Sequence, residues 1–416
     1  MADYLPLLGT LVALLVGLVV GKAWERYKLR DGSLVDRRRL RESPHYLQGL
    51  NFLISNQTDL AIEELGKAAS EHAEASEVHI VLGNLYREKG QVGRAIQVHQ
   101  QLLQRPRLTR LEHSAVLLCL GLDYKQGGFV DRAFEAFSEV LRIDPQNTQA
   151  LANLEKLHTD QHQWQAAHEV RSRRLAAAAQ PARAAHRRVL AFLENELGRE
   201  ALARMDYDEA ARRFEAAIAL DAAVVPAWLN LGDVRFLRGN AVAATAAWER
   251  VVEIAPDRAY LAFDRLASAY AKAGQPTRFA DLCRRLIHDR PQEWCARIAL
   301  ARHLTAHGQP ADAMTLLHEA IAINPHSLLL HEAAWDTLTA MQLPAAAVAT
   351  YIATARDSVF YQDPHVCTRC RYRSTELLWQ CPHCHEWNAF VEERLTPARD
   401  DQTLAEPAAI ATPLPG

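Results

Sequence analysis

The chain repeats itself about every 34 residues, and that period decides most of what it can become. Units begin at Glu42, Ser76, Ser114, Thr148, Ala191, Val225, Tyr260, Trp294 and Leu328, with most intervals 34 or 35 residues. The clearest copies carry a small residue eighth, an aromatic eleventh, Ala twentieth and a bulky residue twenty-fourth. In the first unit these are Gly49, Phe52, Ala61 and Leu65. In the second they are Gly83, Tyr86 and Ala95, with His99 in the bulky place. In the third they are Gly121, Tyr124, Ala133 and Phe137, closed by Pro145. The fourth keeps Leu151, Leu154 and Ala167 but sets Glu155 and His158 at the diagnostic positions. Later units recover, with Gly198, Ala210 and Phe214, then Gly232, Ala244 and Trp248. The ninth, with Ala347 and Tyr351, is the loosest.

Small residues at the eighth and twentieth places let two antiparallel helices approach closely, and the bulky residues fill the space between pairs. A Pro near the thirty-second place ends the second helix, because it lacks an N–H and clashes with the preceding turn. One pair cannot bury its apolar face alone, so stacking is obligatory and leaves an extended concave surface. The pattern resembles tetratricopeptide repeats. That resemblance implies recognition of proteins or peptides without naming the ligand.

Two intervals are long. The one ending at Ser114 has four extra residues around Arg105 to Arg110. The one ending at Ala191 has nine, in a stretch holding Arg171, Arg173, Arg174, Arg183, Arg187 and Arg188. A hinge or basic contact surface and a merely longer, solvated helix both fit.

Residues Tyr4 to Gly21 form an uncharged apolar run of 18 residues, about 27 Å long as a helix. Lys22 and Trp24 can reach the headgroups and complete a membrane span. Only Met-Ala-Asp precedes the run and no small-residue cleavage site follows it, which speaks against a signal peptide. Lys22, Arg26, Lys28, Arg30, Arg37, Arg38, Arg39 and Arg41 follow the span, so the body is expected in the cytoplasm. This basic segment either touches anionic lipid or is a solvated linker.

The seven cysteines fall into two groups. Cys119, Cys283 and Cys295 stand alone in apolar-periodic stretches and read as buried hydrophobes. Cys367-Thr-Arg-Cys370 and Cys381-Pro-His-Cys384 form two C-x-x-C pairs separated by ten residues. Each pair can make a knuckle offering two thiolates, and two knuckles complete a tetrahedral site for one zinc or iron ion. Trp379, Trp387 and Tyr372 are candidates to cover it. The pairs look like a shortened rubredoxin-type module. Rubredoxin knuckles commonly place Gly after the second Cys of each pair, whereas Arg371 and His385 stand there. That departure favours a structural ion over one tuned for electron transfer.

The expected organisation is mainly α. An anchor over 1–21 and a basic juxtamembrane linker over 22–41 precede a repeat solenoid of about nine units over 42–361. A four-cysteine rubredoxin-like or zinc-ribbon module over 362–395 and a disordered, Pro-rich tail over 396–416 complete it. The net charge of −3 and pI near 6.7 give no overall nucleic-acid signature, though Arg369, Arg371 and Arg373 make the module a local candidate. Enzyme motifs are missing: there is no phosphate loop, and the His-Glu pairs at His168, His318, His331 and His385 lack the second His.

The combined arrangement from Tyr4 to about Leu395 resembles the lipopolysaccharide assembly protein B family of Gram-negative bacteria. The resemblance implies a single-pass inner-membrane protein facing the cytoplasm that regulates lipopolysaccharide biogenesis. It further implies association with a membrane AAA+ protease and with degradation of the deacetylase that commits precursor to lipid A. A homo-oligomer is compatible with it. An iron-carrying electron carrier and a general membrane-associated assembly scaffold are the alternatives.

Overall fold

A computed structural model describes residues 43–106, 108–341, 348, 349, 352 and 364–393. The candidate anchor, the basic linker, most of the second half of the ninth unit and the tail lie outside these residues. Among the described residues no helix is long and apolar enough to cross a membrane.

The chain divides into two compact units, residues 1–178 and 179–416. In the first, eight helices form four antiparallel pairs: α1 (Pro44–Ile54) with α2 (Thr58–Glu71), α3 (Ser76–Glu88) with α4 (Val92–Leu103), α5 (Arg110–Gln126) with α6 (Val130–Ile143), and α7 (Thr148–Asp160) with α8 (Trp164–Ala177). In the second, α9 (Gln180–Ala203) pairs with α10 (Tyr207–Leu220) and α11 (Val225–Leu237) with α12 (Ala241–Ile254). Then α13 (Tyr260–Lys272) pairs with α14 (Pro276–Asp289), α15 (Trp294–Ala306) with α16 (Pro310–Ile323), and α17 (Leu328–Ala340) opens the ninth unit. Six of the nine expected unit starts coincide with a helix start to the residue.

The eighth and twenty-fourth places face each other inside a pair. A Cβ added to Gly49 would come within 2.6 Å of Leu65, and one on Gly121 within 2.6 Å of Phe137. Gly83 meets His99, Gly198 meets Phe214 and Gly232 meets Trp248 in the same way. Glycine is therefore required by a flat aromatic or aliphatic neighbour lying on the helix backbone. In the fourth pair the same two places hold Glu155 and Arg171. Arg171 Nε donates to Glu155 Oε1 at 2.7 Å, and Arg174 Nη1 donates to Oε2 at 2.6 Å. The fourth unit, a weak match to the pattern, has exchanged an apolar contact for a buried ion pair.

The turn inside each pair is also repeated. Gly90 takes φ +74°, and the Gln91 N–H donates back to the Tyr86 carbonyl at 2.8 Å. The same six-residue return joins Gln57 to Phe52, Phe129 to Tyr124, Gln163 to His158 and Gln275 to Tyr270. This is a Schellman closure, and it needs a left-handed residue just before the donor. Gly128, Gly239, Gly274 and Gly308 supply it, while Asn56, His162 and Met205 adopt it despite their side chains.

The long intervals become longer first helices. Thr109 caps α5 and forms a capping box with Glu112, so the helix starts at Arg110 instead of Ser114. Helix α9 starts at Gln180, and its added turns are mostly exposed. Of the six arginines noted there, Arg171 and Arg174 are committed to Glu155, and Arg173 donates to the Pro145 carbonyl at 3.0 Å. The boundary between the two units falls between α8 and α9. Cys119 and Cys283 are buried as expected, but Cys295 is only half-buried.

His99, the exception in the second unit, is fully buried. Its Nδ1 lies 2.5 Å from Asp123 Oδ2, and Arg87 Nη1 donates to Asp123 Oδ1 at 2.8 Å. A polar residue is tolerated there because the next pair provides its partner.

Candidate metal centre

The C-terminal module is a three-stranded sheet in the order β2-β1-β3, from β1 (His365–Cys367), β2 (Arg373–Ser374) and β3 (Phe390–Glu392). Its main buried cluster is Cys367, Cys381, Ala389 and Phe390, with Leu377, Leu378, Cys370 and Cys384 against it, and Val366 is buried beside it. Such a core is too small to stand alone.

The two C-x-x-C pairs fold alike. The Cys367 N–H donates to the Tyr372 carbonyl and the Cys381 N–H to the Glu386 carbonyl, both at 2.9 Å. Arg371 N–H returns to the Cys367 carbonyl at 2.9 Å and His385 N–H to the Cys381 carbonyl at 2.8 Å. Arg371 and His385 take φ +62° and +60°, the left-handed conformation that glycine usually supplies in such a knuckle. Backbone N–H groups reach the sulfurs as well: those of Cys370 and Arg369 to Cys367, of Tyr372 to Cys370, and of Glu386 to Cys384. Both knuckles thus keep the turn without glycine. The backbone accepts the left-handed turn at a cost of about 1–2 kcal/mol per residue.

The four sulfurs lie within 4.8 Å of one another, with Cys367–Cys384 at 3.6 Å and Cys370–Cys381 at 3.5 Å. A tetrahedron with metal–sulfur bonds of about 2.3 Å has edges of about 3.8 Å, so the set fits one ion. Burial pushes the Cys367 thiol up, but the N–H groups and neighbouring thiols outweigh it and bring it to about 7. Burial holds Cys384 up at about 12. Four adjacent thiolates need a cation, and the donor set is the one zinc or iron takes. The four side chains are a donor set that could hold one metal ion.

Trp379 and Trp387 do not cover that site. They face the helices of the same unit, where Trp387 stacks on Phe192 with centroids 5.3 Å apart and planes 22° apart. Trp379 lies 6.4 Å from Phe192 and carries the Arg258 guanidinium over its ring at 5.4 Å. Arg258 also donates to the Phe390 carbonyl at 3.1 Å and bonds Asn388. Tyr372 lies edge-on to Phe390. The tryptophans dock the module because a sheet this small has an apolar outer face that must be buried somewhere. Phe192 and Arg258 were not singled out from the sequence, since nothing local marks them as partners of residues far along the chain.

The three module arginines each face a carboxylate: Arg369 pairs with Glu386, and Arg371 and Arg373 with Glu393 at 3.5 and 2.9 Å. Beside the module a cleft of about 580 Å³ opens along α13 and α15, lined by Tyr260, Phe263, Trp294, Ile298, Arg302 and His365. Its mix of aromatic walls and few polar groups suits ligand recognition.

Comparison with known proteins agrees with both parts. A family model described as a rubredoxin metal binding domain matches residues 365–392, and two described as tetratricopeptide repeats match 195–259 and 78–112. Lipopolysaccharide assembly protein B of Escherichia coli is 25% identical over 352 residues, covering 84% of this chain and 89% of that protein. Its Haemophilus influenzae counterpart is 24% identical over 364 residues, with the same coverages of 84% and 89%. A solved tetratricopeptide repeat protein from Parabacteroides merdae has a TM-score of 0.32 at 16% identity, covering 63% of this chain and 98% of that one. With repeats, ribbon and similarity over 84% of its length in one chain, the protein is similar to lipopolysaccharide assembly protein B.

Proposed function

We propose that the protein is a non-catalytic adaptor regulating lipopolysaccharide biogenesis from the inner face of the bacterial inner membrane. Residues 1–21 anchor it, residues 22–41 line the bilayer surface, and the repeats present partners to one another. Those partners are a membrane AAA+ protease and the deacetylase that commits precursor to lipid A, so that the adaptor sets the deacetylase level. Tethering raises local concentration, which lets modest contacts become productive. The observation that carries this reading is similarity to lipopolysaccharide assembly protein B along 84% of the chain, in a chain whose repeats and ribbon each match family models.

In this reading Cys367, Cys370, Cys381 and Cys384 ligate one zinc or iron ion whose role is to hold the ribbon folded. Replacing Cys381 with Ser removes the ion and leaves helicity nearly intact; unchanged metal content in that variant would refute the ligand set. The N–H···S bonds also suit an iron electron carrier, and a visible spectrum that bleaches reversibly on reduction would select it over zinc. The adaptor role is tested by deleting residues 1–21 in cells lacking the native copy. Deacetylase turnover should slow and lipopolysaccharide should accumulate, whereas normal turnover without the anchor would sink the proposal.

A further inference from the structure

Residues 377–380 of the ribbon lie outside helix and strand except for one bridge, and they run along the face formed by α9, α11 and α13. Leu377 and Trp379, two residues apart, both border a cleft of about 280 Å³ together with Asn195, Leu229, Asn230 and Arg265. Leu377 and Leu378 both pack on the cysteine core as well. Leu377 and Trp379 thus offer the helices an aliphatic and an aromatic side chain two residues apart.

The face beneath it is built for such a guest. Asn195, Asn230 and Arg265 recur at steps of 35 residues along three successive first helices, fifth in the unit from Ala191 and sixth in the next two. With the ribbon in place they satisfy themselves: Asn230 donates to Asn195 at 2.9 Å, and Arg265 grips Asp233 through two bonds of 2.7 and 2.8 Å. The ribbon leaves space unfilled above them. Permanent interiors are close-packed, and every gap forfeits dispersion contacts, so this contact is poised for exchange.

What presents the guest is the second knuckle. Trp379 and Trp387 flank Cys381 and Cys384, joined by the Gln380–Trp387 bridge and by the Asn388 N–H donating to the Trp379 carbonyl at 2.6 Å. A ribbon with so small a core folds only when its thiolates hold an ion. Docking is therefore coupled to metal loading.

We propose that the face formed by α9, α11 and α13 is a binding site for an extended apolar peptide, with residues 377–379 as its built-in occupant, held there by the loaded cysteine site. Losing the ion releases the occupant and opens the site to a partner segment of the same chemistry, an aliphatic and an aromatic residue two apart. The inference rests on the adaptor reading only in treating this face as a recognition surface.

The test uses the full chain and a fluorescein-labelled peptide of residues 374–380, STELLWQ. Chelator-stripped protein should bind it at least tenfold more tightly than metal-loaded protein. Amide exchange over 195–199, 226–230 and 261–265 should accelerate on stripping while far-UV helicity is unchanged. Arg258→Ala, which keeps all four cysteines, should bind the peptide even when loaded, and a peptide with Ser at both the Leu377 and Trp379 places should not bind. Equal binding by loaded and stripped protein, no binding by either, or unchanged exchange would each overturn the proposal. Because the assay involves neither membrane nor deacetylase, its failure leaves the adaptor reading standing, and loss of the adaptor reading in cells leaves the assay interpretable.

Discussion

The third and fourth helix pairs of the first unit solve one packing problem with opposite chemistry. In the third, Gly121 lets the Phe137 ring lie on the helix backbone. In the fourth, Glu155 fills the same place and neutralises Arg171 and Arg174. The first contact is shape alone, and it tolerates no added atom. The second is charge, and it tolerates no missing partner. Both close the same stack, so the repeat fixes a distance between helices and leaves the chemistry of the contact free.

Breaking the charged version should do most harm. Glu155→Ala takes the shared carboxylate from two guanidiniums in a mostly buried site and should cost about 3–5 kcal/mol, read as lost exchange protection across α7 and α8. Overfilling the apolar version comes next. Gly121→Leu should cost roughly 1–3 kcal/mol, measured as a lower urea midpoint with α5 and α6 opening first. Converting one into the other sharpens the comparison: Glu155→Gly with Arg171→Phe and Arg174→Leu, which removes the whole charged group, should come out neutral or stabilising by about 1 kcal/mol. A loss as large as that of Glu155→Ala would show that the ion pair does more than fill space. The smallest effect lies in the turns, where Gly128 and His162 hold equivalent left-handed places at φ +77° and +55°. His162→Gly should gain up to about 1 kcal/mol in thermal unfolding, less whatever the His162 ring contributes against Trp164 at 5.1 Å.

Much of this was legible in the residues because a repeat makes its contacts local. The eighth and twenty-fourth residues meet within one pair, so Gly49 with Leu65 and Gly198 with Phe214 are written into every copy at fixed spacing. The weak fourth unit was equally visible; the ion pair that redeems it was not, since Glu155 and Arg171 look like two surface charges until the helices face each other. The cysteine ligand set was legible for the same local reason, a knuckle of four residues repeated. The roles of Trp379 and Trp387 were not. Their partners Phe192 and Arg258 are separated from them by well over a hundred residues, and no spacing links them.

The amino-acid order by itself determined the helix-pair period, the positions of the left-handed turns where glycine supplies them, and four sulfur donors brought together two by two. Each depends on contacts within a few tens of residues, where backbone geometry leaves few choices. The tertiary structure decided that the ribbon folds back onto α9, α11 and α13, and that its tryptophans face helices instead of metal. It also decided that Arg371 and His385 bend as glycines would. Those outcomes follow from apolar surface that a module this small cannot bury internally, and only the assembled unit offers somewhere to put it.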